Sequence, residues 1–336
     1  EYSGHSETRI VPLPRSGSDR RYFRVFDEDK TVIGTYNRDL EENNAFVGFT
    51  KHFVSEKLPV PEVFFYKPDK FIYFQKDLGD LNLYTWLHRR SDISGFNEET
   101  KKLYRKILDN LVLFQTRGIK GLNLDLCYPH KSFDRQSMMW DMNYYKYMLL
   151  KLLAVPFRER HLEHDFDTLA DYLLETGQNY FLYRDFQTAN IMLIDEEPWF
   201  IDYQGGRKGA PQYDVASLLY DAKIPMLHKN REELLEYYIN CFCGDSGEDK
   251  NLFRGYYSGF SMIRIMQALG AFGFRGLYEK KPTFTESIVP GVHILNQIVG
   301  DAENHVSLPE LFKTIRAIPA TQLFRDLSRN SSSSLR

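Results

Sequence analysis

The sequence is poor in cysteine, contains no long apolar run and has no surplus of basic residues. Three cysteines among 336 residues cannot form a disulfide framework, and unpaired thiols are typical of the reducing cytoplasm. The formal net charge is −3, whereas nucleic-acid-binding domains usually carry a concentrated basic excess. No segment approaches the ~20 apolar residues that a membrane-spanning helix needs. The sequence therefore predicts a cytoplasmic protein with neither a nucleic-acid nor a membrane partner.

What the chain does contain is ordinary for a soluble globular protein of this size. Hydrophobic residues make up 43% of the sequence and charged residues 26%, which excludes a disordered or collagen-like chain. Aromatic residues reach 15%, and we interpret them mainly as rings packed in a core. The length predicts two domains or one large two-lobed domain.

The two parts of the chain differ in predicted secondary structure. Within residues 1–78, β-rich runs surround one helix whose aromatic residues share a face. The predicted strands are 9–13, 22–26, 31–36, 63–66 and 71–75, and the predicted helix is 41–57. The second and third strands are joined by a short polar turn, which predicts a hairpin.

Residues 79–327 are predicted to be mostly helical, and residues 328–336 form a Ser-rich solvated tail or a linker to a further domain. The predicted helices include 133–150, 165–177, 213–222, 231–242, 249–272, 285–299 and 308–327. A small β-rich lobe on a larger helical lobe is an α+β architecture with a cleft between its parts. Such clefts are common ligand sites.

A polar constellation interrupts the helical region. Asp185 and Asn190 lie in a loop before the apolar run 191–194, and Asp202 follows the apolar run 199–201. If the two runs pair antiparallel, Asn190 and Asp202 meet at the open end of a hairpin. An amide oxygen and a carboxylate can hold Mg²⁺ together with phosphate oxygens, and Asp185 could accept a hydroxyl proton. This is the arrangement of roles used in kinase-type phosphoryl transfer.

A lone Asp-x4-Asn pair is weak evidence, since such residues often only cap loops. Further segments strengthen the interpretation: residues 16–25, 77–79, 183–190 and 201–219. With them, the chain resembles the aminoglycoside phosphotransferase and choline kinase-like superfamily, which shares the protein-kinase fold. Within that group it is most similar to the anomeric amino-sugar kinases, which phosphorylate the C1 hydroxyl of N-acetylmuramate and N-acetylglucosamine.

The resemblance implies a protein-kinase-like fold, ATP and Mg²⁺ as cofactors, and roles for several residues. Asp185 would be the catalytic base, and Asn190 and Asp202 would bind the metal. The loop over the ATP phosphates would include Ser16, Gly17 and Ser18, and the hinge that pairs with adenine would include Gln75 and Asp77. Asp214 is interpreted as a structural brace or N-cap.

Two positions depart from the family pattern. Tyr183 stands where a His usually precedes Arg-Asp, and we expect it to brace the catalytic loop. The third strand lacks the usual Lys that binds the α- and β-phosphates, so Arg21, Arg24 or Arg38 could substitute for it, unless these are ordinary surface charges. We selected Arg21 as a nucleotide-binding candidate.

The predicted function is ATP-dependent phosphorylation of the anomeric hydroxyl of an amino sugar. Two alternatives remain open: a non-catalytic nucleotide- or sugar-sensing pseudokinase module, and an aminoglycoside antibiotic kinase. A small-molecule acceptor would be bound by polar residues on the helices of the second lobe. The candidates are Asp221, Arg264, Gln267 and Arg275.

Overall fold

The computed structural model describes residues 9–14, 19–27, 30–90 and 96–333. Its first lobe is built on an antiparallel five-stranded sheet with the strand order β1-β2-β3-β5-β4. The elements of this lobe are β1 (Arg9–Pro12), β2 (Arg21–Asp27), β3 (Lys30–Tyr36), α1 (Leu40–Ser55), β4 (Val63–Lys67) and β5 (Ile72–Lys76). Every strand predicted for this region is present, and β2 pairs with β3 as the predicted hairpin.

Helix α1 joins the first lobe to the second. Asp39 caps its N-terminus by accepting a backbone N–H of the first turn at 3.0 Å. Phe46, Phe49 and Phe53 share one face and are buried. Phe46 stacks on Tyr203 of the second lobe, with ring centroids 5.1 Å apart. The aromatic residues predicted to pack a core thus also connect the two lobes beneath the cleft.

The second lobe is mainly helical. Its helices are α2 (Leu83–His88), α3 (Glu98–Thr116), α4 (Arg135–Tyr145), α5 (Glu159–Leu174), α6 (Gln212–Leu219), α7 (His228–Ser246), α8 (Lys250–Phe272), α9 (Pro282–Thr285), α10 (Ile288–Ala302), α11 (Pro309–Ala317) and α12 (Gln322–Ser333). The largely buried α8 packs against α4, α6 and α10. The predicted α+β architecture, a small β-rich lobe on a larger helical lobe, is therefore present.

Two small antiparallel sheets lie in the second lobe on the side of the cleft. Strand β6 (Tyr180–Leu182) pairs with β9 (Arg207–Gly209), and β7 (Ile191–Ile194) pairs with β8 (Glu197–Phe200). In the β7–β8 hairpin, Ile191 lies opposite Phe200. This register brings the residues before β7 and after β8 to the same end of the hairpin, as the sequence predicted.

Some predicted boundaries are wrong, and the backbone explains two of them. The α-helical geometry of 133–150 ends at Tyr145 and becomes a π-helical turn over Lys146–Leu150. Gly273 approaches that turn so closely that a Cβ would collide with the Met148 carbonyl oxygen. The predicted helix 308–327 is divided into α11 and α12 around Pro319, which lacks the N–H that a continuous helix needs.

The predicted C-terminal tail or linker begins as a helix. Helix α12 continues to Ser333, so residues 328–333 are helical. Within the described ranges, no helix is long and apolar enough to cross a membrane. Cys127, Cys241 and Cys243 are all unpaired, as expected from the cysteine count.

Candidate active site

The loop formed by residues 183–190, here called the catalytic loop, is held in place by the buried carboxylate of Asp214. Asp214 in α6 accepts the backbone N–H groups of Tyr183 at 2.7 Å and Arg184 at 3.0 Å. Burial raises the pKa of Asp214 to about 7, although these N–H donors oppose the rise. The prediction that Asp214 is a brace is confirmed.

The two residues before Asp185 fix the path of the catalytic loop. The fully buried Tyr183 donates its hydroxyl to the Ile201 carbonyl oxygen at 2.7 Å, which ties the loop to the end of β8. Arg184 has a left-handed backbone with φ of 81°. Its guanidinium forms two hydrogen bonds with Asp141, at 2.6 and 2.7 Å. Tyr183 therefore braces the loop, as predicted.

The structure brings Asp185, Asn190 and Asp202 together. Asn190 Nδ2 donates to the Asp185 backbone oxygen at 2.9 Å and to Asp202 Oδ2 at 3.3 Å. The Ile201 N–H donates to the Asn190 carbonyl oxygen at 3.1 Å. The backbone of Asp202 is left-handed, with φ of 68°. The second carboxylate oxygen of Asp202, Oδ1, accepts from Gln204 Nε2 at 2.8 Å. The amide and the two carboxylates thus lie at the open end of the β7–β8 hairpin.

The surroundings of Asp185 favour its protonated form. Burial raises its pKa above the ordinary value, and the neighbouring Asp202 carboxylate raises it further, while Arg264 has the opposite effect. A raised pKa makes the ionised carboxylate a stronger proton acceptor. Asp185 therefore has a perturbed pKa, a feature that clusters at functional sites.

On the first-lobe side, the cleft contains a basic residue, Arg20, that the sequence analysis placed at the end of the phosphate loop but did not consider as a substitute for the missing Lys. Arg20, just before β2, is only 7% exposed. Its side chain reaches from α1 to the end of the β7–β8 hairpin. Its Nη2 lies 2.6 Å from Glu42 Oε1, and its Nη1 lies 3.1 Å from Asp202 Oδ1. Asn37 Nδ2 donates to the second oxygen of Glu42 at 2.7 Å. Glu42 therefore pairs with Arg20, although β3 has no Lys at the usual position.

The three arginines proposed from sequence as Lys substitutes lie elsewhere. Arg21 lines a largely apolar groove with Phe23 and Val25. Arg24 forms ion pairs with Asp77 and Asp80, and Arg38 is exposed. Side chains alternate between the faces of a strand, so Arg20 and Arg24 share the cleft side and Arg21 points away. That alternation is the signal that could have favoured Arg20 over Arg21.

A cavity of about 390 Å³ lies between the first-lobe sheet and the β7–β8 hairpin. Gln75 and Asp77, the predicted hinge residues, line it together with Asn190 and Asp202. Arg24 Nε lies 2.6 Å from Asp77 Oδ2 and closes one side. The predicted phosphate-loop residues Ser16, Gly17 and Ser18 lie outside the described residues. This cavity has the position that the hinge prediction gives to the nucleotide.

A second cavity, of about 580 Å³, extends from Asp185 into the second lobe. All four residues selected as acceptor-binding candidates line it: Asp221, Arg264, Gln267 and Arg275. Arg264 is anchored by Ser217 at 2.8 Å and Gln267 at 2.9 Å. Asp221 accepts the hydroxyl of Thr188 in the catalytic loop at 2.6 Å. Residues distant in sequence thus form one wall beside Asp185.

Comparisons with known proteins agree with this architecture. An N-acetylmuramate/N-acetylglucosamine kinase of Neisseria meningitidis is 26% identical over 209 residues, covering 61% of this chain and 59% of that protein. A protein of the same name from Pseudomonas aeruginosa is 24% identical over 217 residues, covering 63% of this chain and 60% of that protein. The chain thus spans about three fifths of the length of the curated relatives it matches.

Solved structures and a family model extend the comparison. A choline kinase from Cryptosporidium parvum has a TM-score of 0.62 at 11% identity, covering 92% of this chain and 93% of that one. This likeness confirms the predicted kinase-like two-lobed fold. The model of the phosphotransferase enzyme family (APH) matches residues 9–248, from β1 to just beyond α7. Because that match covers well over half of the sequence, the chain belongs to the phosphotransferase enzyme family.

Proposed function

We propose that the protein is an ATP-dependent kinase that phosphorylates the anomeric hydroxyl of an amino sugar, N-acetylmuramate or N-acetylglucosamine. The observation that carries the proposal is the meeting of two cavities at one polar constellation. Ala189, Asn190, Asp202 and Arg20 line both cavities, and Asp185 lines the second. A nucleotide in one cavity and an acceptor in the other would meet at these residues.

In the proposed reaction, Asp185 accepts the proton of the acceptor hydroxyl while the hydroxyl oxygen forms a bond to the γ-phosphorus of ATP. The bond from that phosphorus to the β–γ bridging oxygen breaks, and ADP leaves with the bonding electron pair. The protein contributes mainly by positioning the reactants and compensating charge. The raised pKa of Asp185 supports its role as the base.

The donor set at the hairpin end fits Mg²⁺. Asp202 is 34% exposed at the junction of the cavities, next to the Asn190 amide. No group of three His, Cys, Asp or Glu side chains suited to a metal occurs in the described part of the chain. Mg²⁺ commonly uses one or two protein oxygens together with water and phosphate oxygens. Asp202 and Asn190 would hold Mg²⁺, which neutralises phosphate charge when bound.

The acceptor class is supported by the wall of the second cavity and by the curated relatives. That wall combines hydrogen-bonding groups of Gln187, Asp221 and Gln267 with the rings of Phe272 and Phe284. Polar groups interleaved with apolar faces suit a sugar ring. The two relatives named N-acetylmuramate/N-acetylglucosamine kinase support the choice among sugars. Cytoplasmic location and a further domain after residue 336 stay predictions.

An antibiotic kinase receives less support from this wall. Lys223, Arg264 and Arg275 line the cavity on the helical side, where Asp221 is the acidic neighbour. Such a surface lacks the excess of negative charge that would attract a polycationic aminoglycoside. The pseudokinase alternative is also weakened, because its main support was a missing cation and Arg20 places one between Glu42 and Asp202.

The test is ADP release from MgATP across a panel of amino sugars, aminoglycosides and choline-like alcohols. We expect a signal with N-acetylglucosamine or N-acetylmuramate and none with their 1-O-methyl glycosides, which lack the reactive hydroxyl. Turnover of the 1-O-methyl glycosides would contradict anomeric transfer. Nucleotide binding without turnover on any acceptor would instead favour the sensing module.

A further inference from the structure

The environment of Arg20 is unusual for a buried guanidinium. Two of its nitrogens are paired with the carboxylates of Glu42 and Asp202. Its third nitrogen, Nε, is buried and has no hydrogen-bond partner among the residues that the structure describes. Buried N–H donors are nearly always satisfied, and leaving one unpaired is costly. An unpaired donor at a cavity wall therefore indicates a missing acceptor.

The position of Arg20 identifies the chemistry of that acceptor. Of the basic residues in the described lining, Arg20 alone borders both cavities. The other two basic residues of the first cavity are already engaged: Arg24 pairs with Asp77 and Asp80, and Lys76 lies over the Trp199 ring. Arg20, whose Nε is unpaired among the described residues, is therefore the basic residue that lies where the phosphates of a nucleotide would pass from one cavity to the other.

Strand β3 provides no competing cation at this place. Ile33 is its residue in the lining of the first cavity. Glu42 holds the Arg20 guanidinium from the helix side, and Asn37 fixes Glu42 in turn. A planar guanidinium held by two carboxylates keeps a fixed orientation, which suits directional hydrogen bonding to phosphate oxygens.

We infer that Arg20 binds the α- and β-phosphates of the nucleotide through Nε, in place of the third-strand Lys found in protein kinases. Glu42 is its positioning partner. The inference rests on the proposed function, because it assumes that the first cavity receives a nucleoside triphosphate. It assigns phosphate binding to a residue outside β3 that none of the comparisons identifies.

Calorimetry with MgADP and with adenosine on the full chain separates phosphate binding from binding of the base. We expect Arg20→Ala to weaken MgADP binding about 10- to 100-fold, as for loss of a hydrogen bond between charged groups. Adenosine affinity should stay within about twofold, since adenosine has no phosphate for the guanidinium to contact. Arg20→Lys keeps the charge but lacks Nε, and we expect a smaller loss of MgADP affinity.

Arg38→Ala is the matched control, because Arg38 is an exposed arginine at the end of the same hairpin. It should bind both ligands like the wild type. MgADP affinity of Arg20→Ala and Arg20→Lys close to that of the wild type would overturn the inference. An equal loss for MgADP and adenosine in the folded Arg20→Lys variant would also overturn it and assign Arg20 to lobe packing. Failure of the wild type to bind any nucleotide would refute the proposed function instead.

Discussion

The two sides of the cleft are assembled in different ways. On the second-lobe side, Asp185, Asn190 and Asp202 lie within one short stretch of chain and meet through the β7–β8 hairpin. On the first-lobe side, Arg20 contacts Asp202 across a sequence separation of 182 residues. The first set is produced by local pairing, whereas the second depends on how the lobes pack.

The supports of the two sides differ as well. Buried hydrogen bonds from Tyr183 and Arg184 to Asp214 hold the catalytic loop. On the other side, the carboxylates that hold Arg20 are partly exposed, 26% for Glu42 and 34% for Asp202. We therefore expect changes on the second-lobe side to alter chemistry or stability, and changes on the first-lobe side to alter mainly nucleotide affinity.

The strongest test of this contrast is Asp185→Asn. Removing the proton acceptor should lower kcat by about 10²- to 10⁴-fold, the usual contribution of a general base. Nucleotide affinity should be unchanged, because Asp185 lines the second cavity and not the first, where we propose that the nucleotide binds. Steady-state kinetics and calorimetry measure the two effects.

Asp195→Asn is the matched control for this change. Asp195 is exposed at the turn of the same hairpin, with φ of 51°, a conformation that Asn tolerates. The control should retain wild-type kcat. If the kcat of Asp185→Asn stayed within about tenfold of the wild-type kcat, Asp185 would not be the catalytic base.

Asp202→Ala affects both sides of the cleft, since Asp202 contacts Asn190 and Arg20. We expect MgATP affinity to fall about 10- to 100-fold, because a charged ligand is removed. The affinity that remains should no longer depend on magnesium. Titrations with and without chelator give the measurement, and Asp195→Ala provides the control. Unchanged MgATP affinity in Asp202→Ala would remove Asp202 from the metal site.

The same contrast explains which parts were predictable from sequence. The strand–turn–strand pattern around Asp195 fixes the register of β7 and β8, so the meeting of Asn190 and Asp202 could be predicted without a structure. Arg20 lies just before β2 and has no periodic pattern of its own. Its partner Glu42 lies on α1, and only tertiary packing brings it close to β2.

Boundaries failed for a related reason. Residues 146–150 have a helical pattern in sequence, but they form a π-helical turn where Gly273, distant in the chain, packs closely against them. The four acceptor-wall candidates could be selected as polar residues on helices. Their convergence beside Asp185 comes from the packing of α8 against α6, which periodicity does not reveal.

Asp214→Asn tests the brace under the catalytic loop. Asn can offer an acceptor to only one of the two N–H groups that Asp214 now satisfies. We expect a loss of about 1–3 kcal/mol in the free energy of unfolding, the cost of an unsatisfied buried donor. Urea unfolding measures this loss, with Asp195→Asn as the exposed control.

The pH dependence of that loss has a defined sign. The pKa of Asp214 is raised to about 7 in the folded protein, so the folded state binds a proton more tightly than the unfolded state. The contribution of Asp214 to the free energy of unfolding is therefore present at low pH and is lost as the pH rises through 7. The difference in free energy of unfolding between the wild type and Asp214→Asn should therefore become smaller between pH 5.5 and pH 8. A difference in unfolding free energy that stays constant over this range would show that Asp214 is ionised throughout.

The smallest expected effect concerns the first-lobe side, where Arg24 has two carboxylate partners of different burial. Asp77 lines the nucleotide cavity and accepts from Arg24 Nε at 2.6 Å, whereas Asp80 is 77% exposed. Asp77→Asn should raise the KM for ATP about three- to tenfold, because it weakens the contact between Arg24 and residue 77 at the wall of the first cavity. Asp80→Asn makes the same chemical change at a surface ion pair and should leave KM unaltered, since exposed pairs contribute little.

Equal effects of Asp77→Asn and Asp80→Asn would mean that the charge of Arg24, rather than the hinge contact, controls ATP affinity. A change in kcat rather than KM would contradict the division between the two sides of the cleft. Steady-state kinetics with ATP as the varied substrate distinguishes these outcomes. The division holds if Asp77→Asn changes KM alone, because Asp77 lies on the nucleotide side and does not line the cavity that contains Asp185.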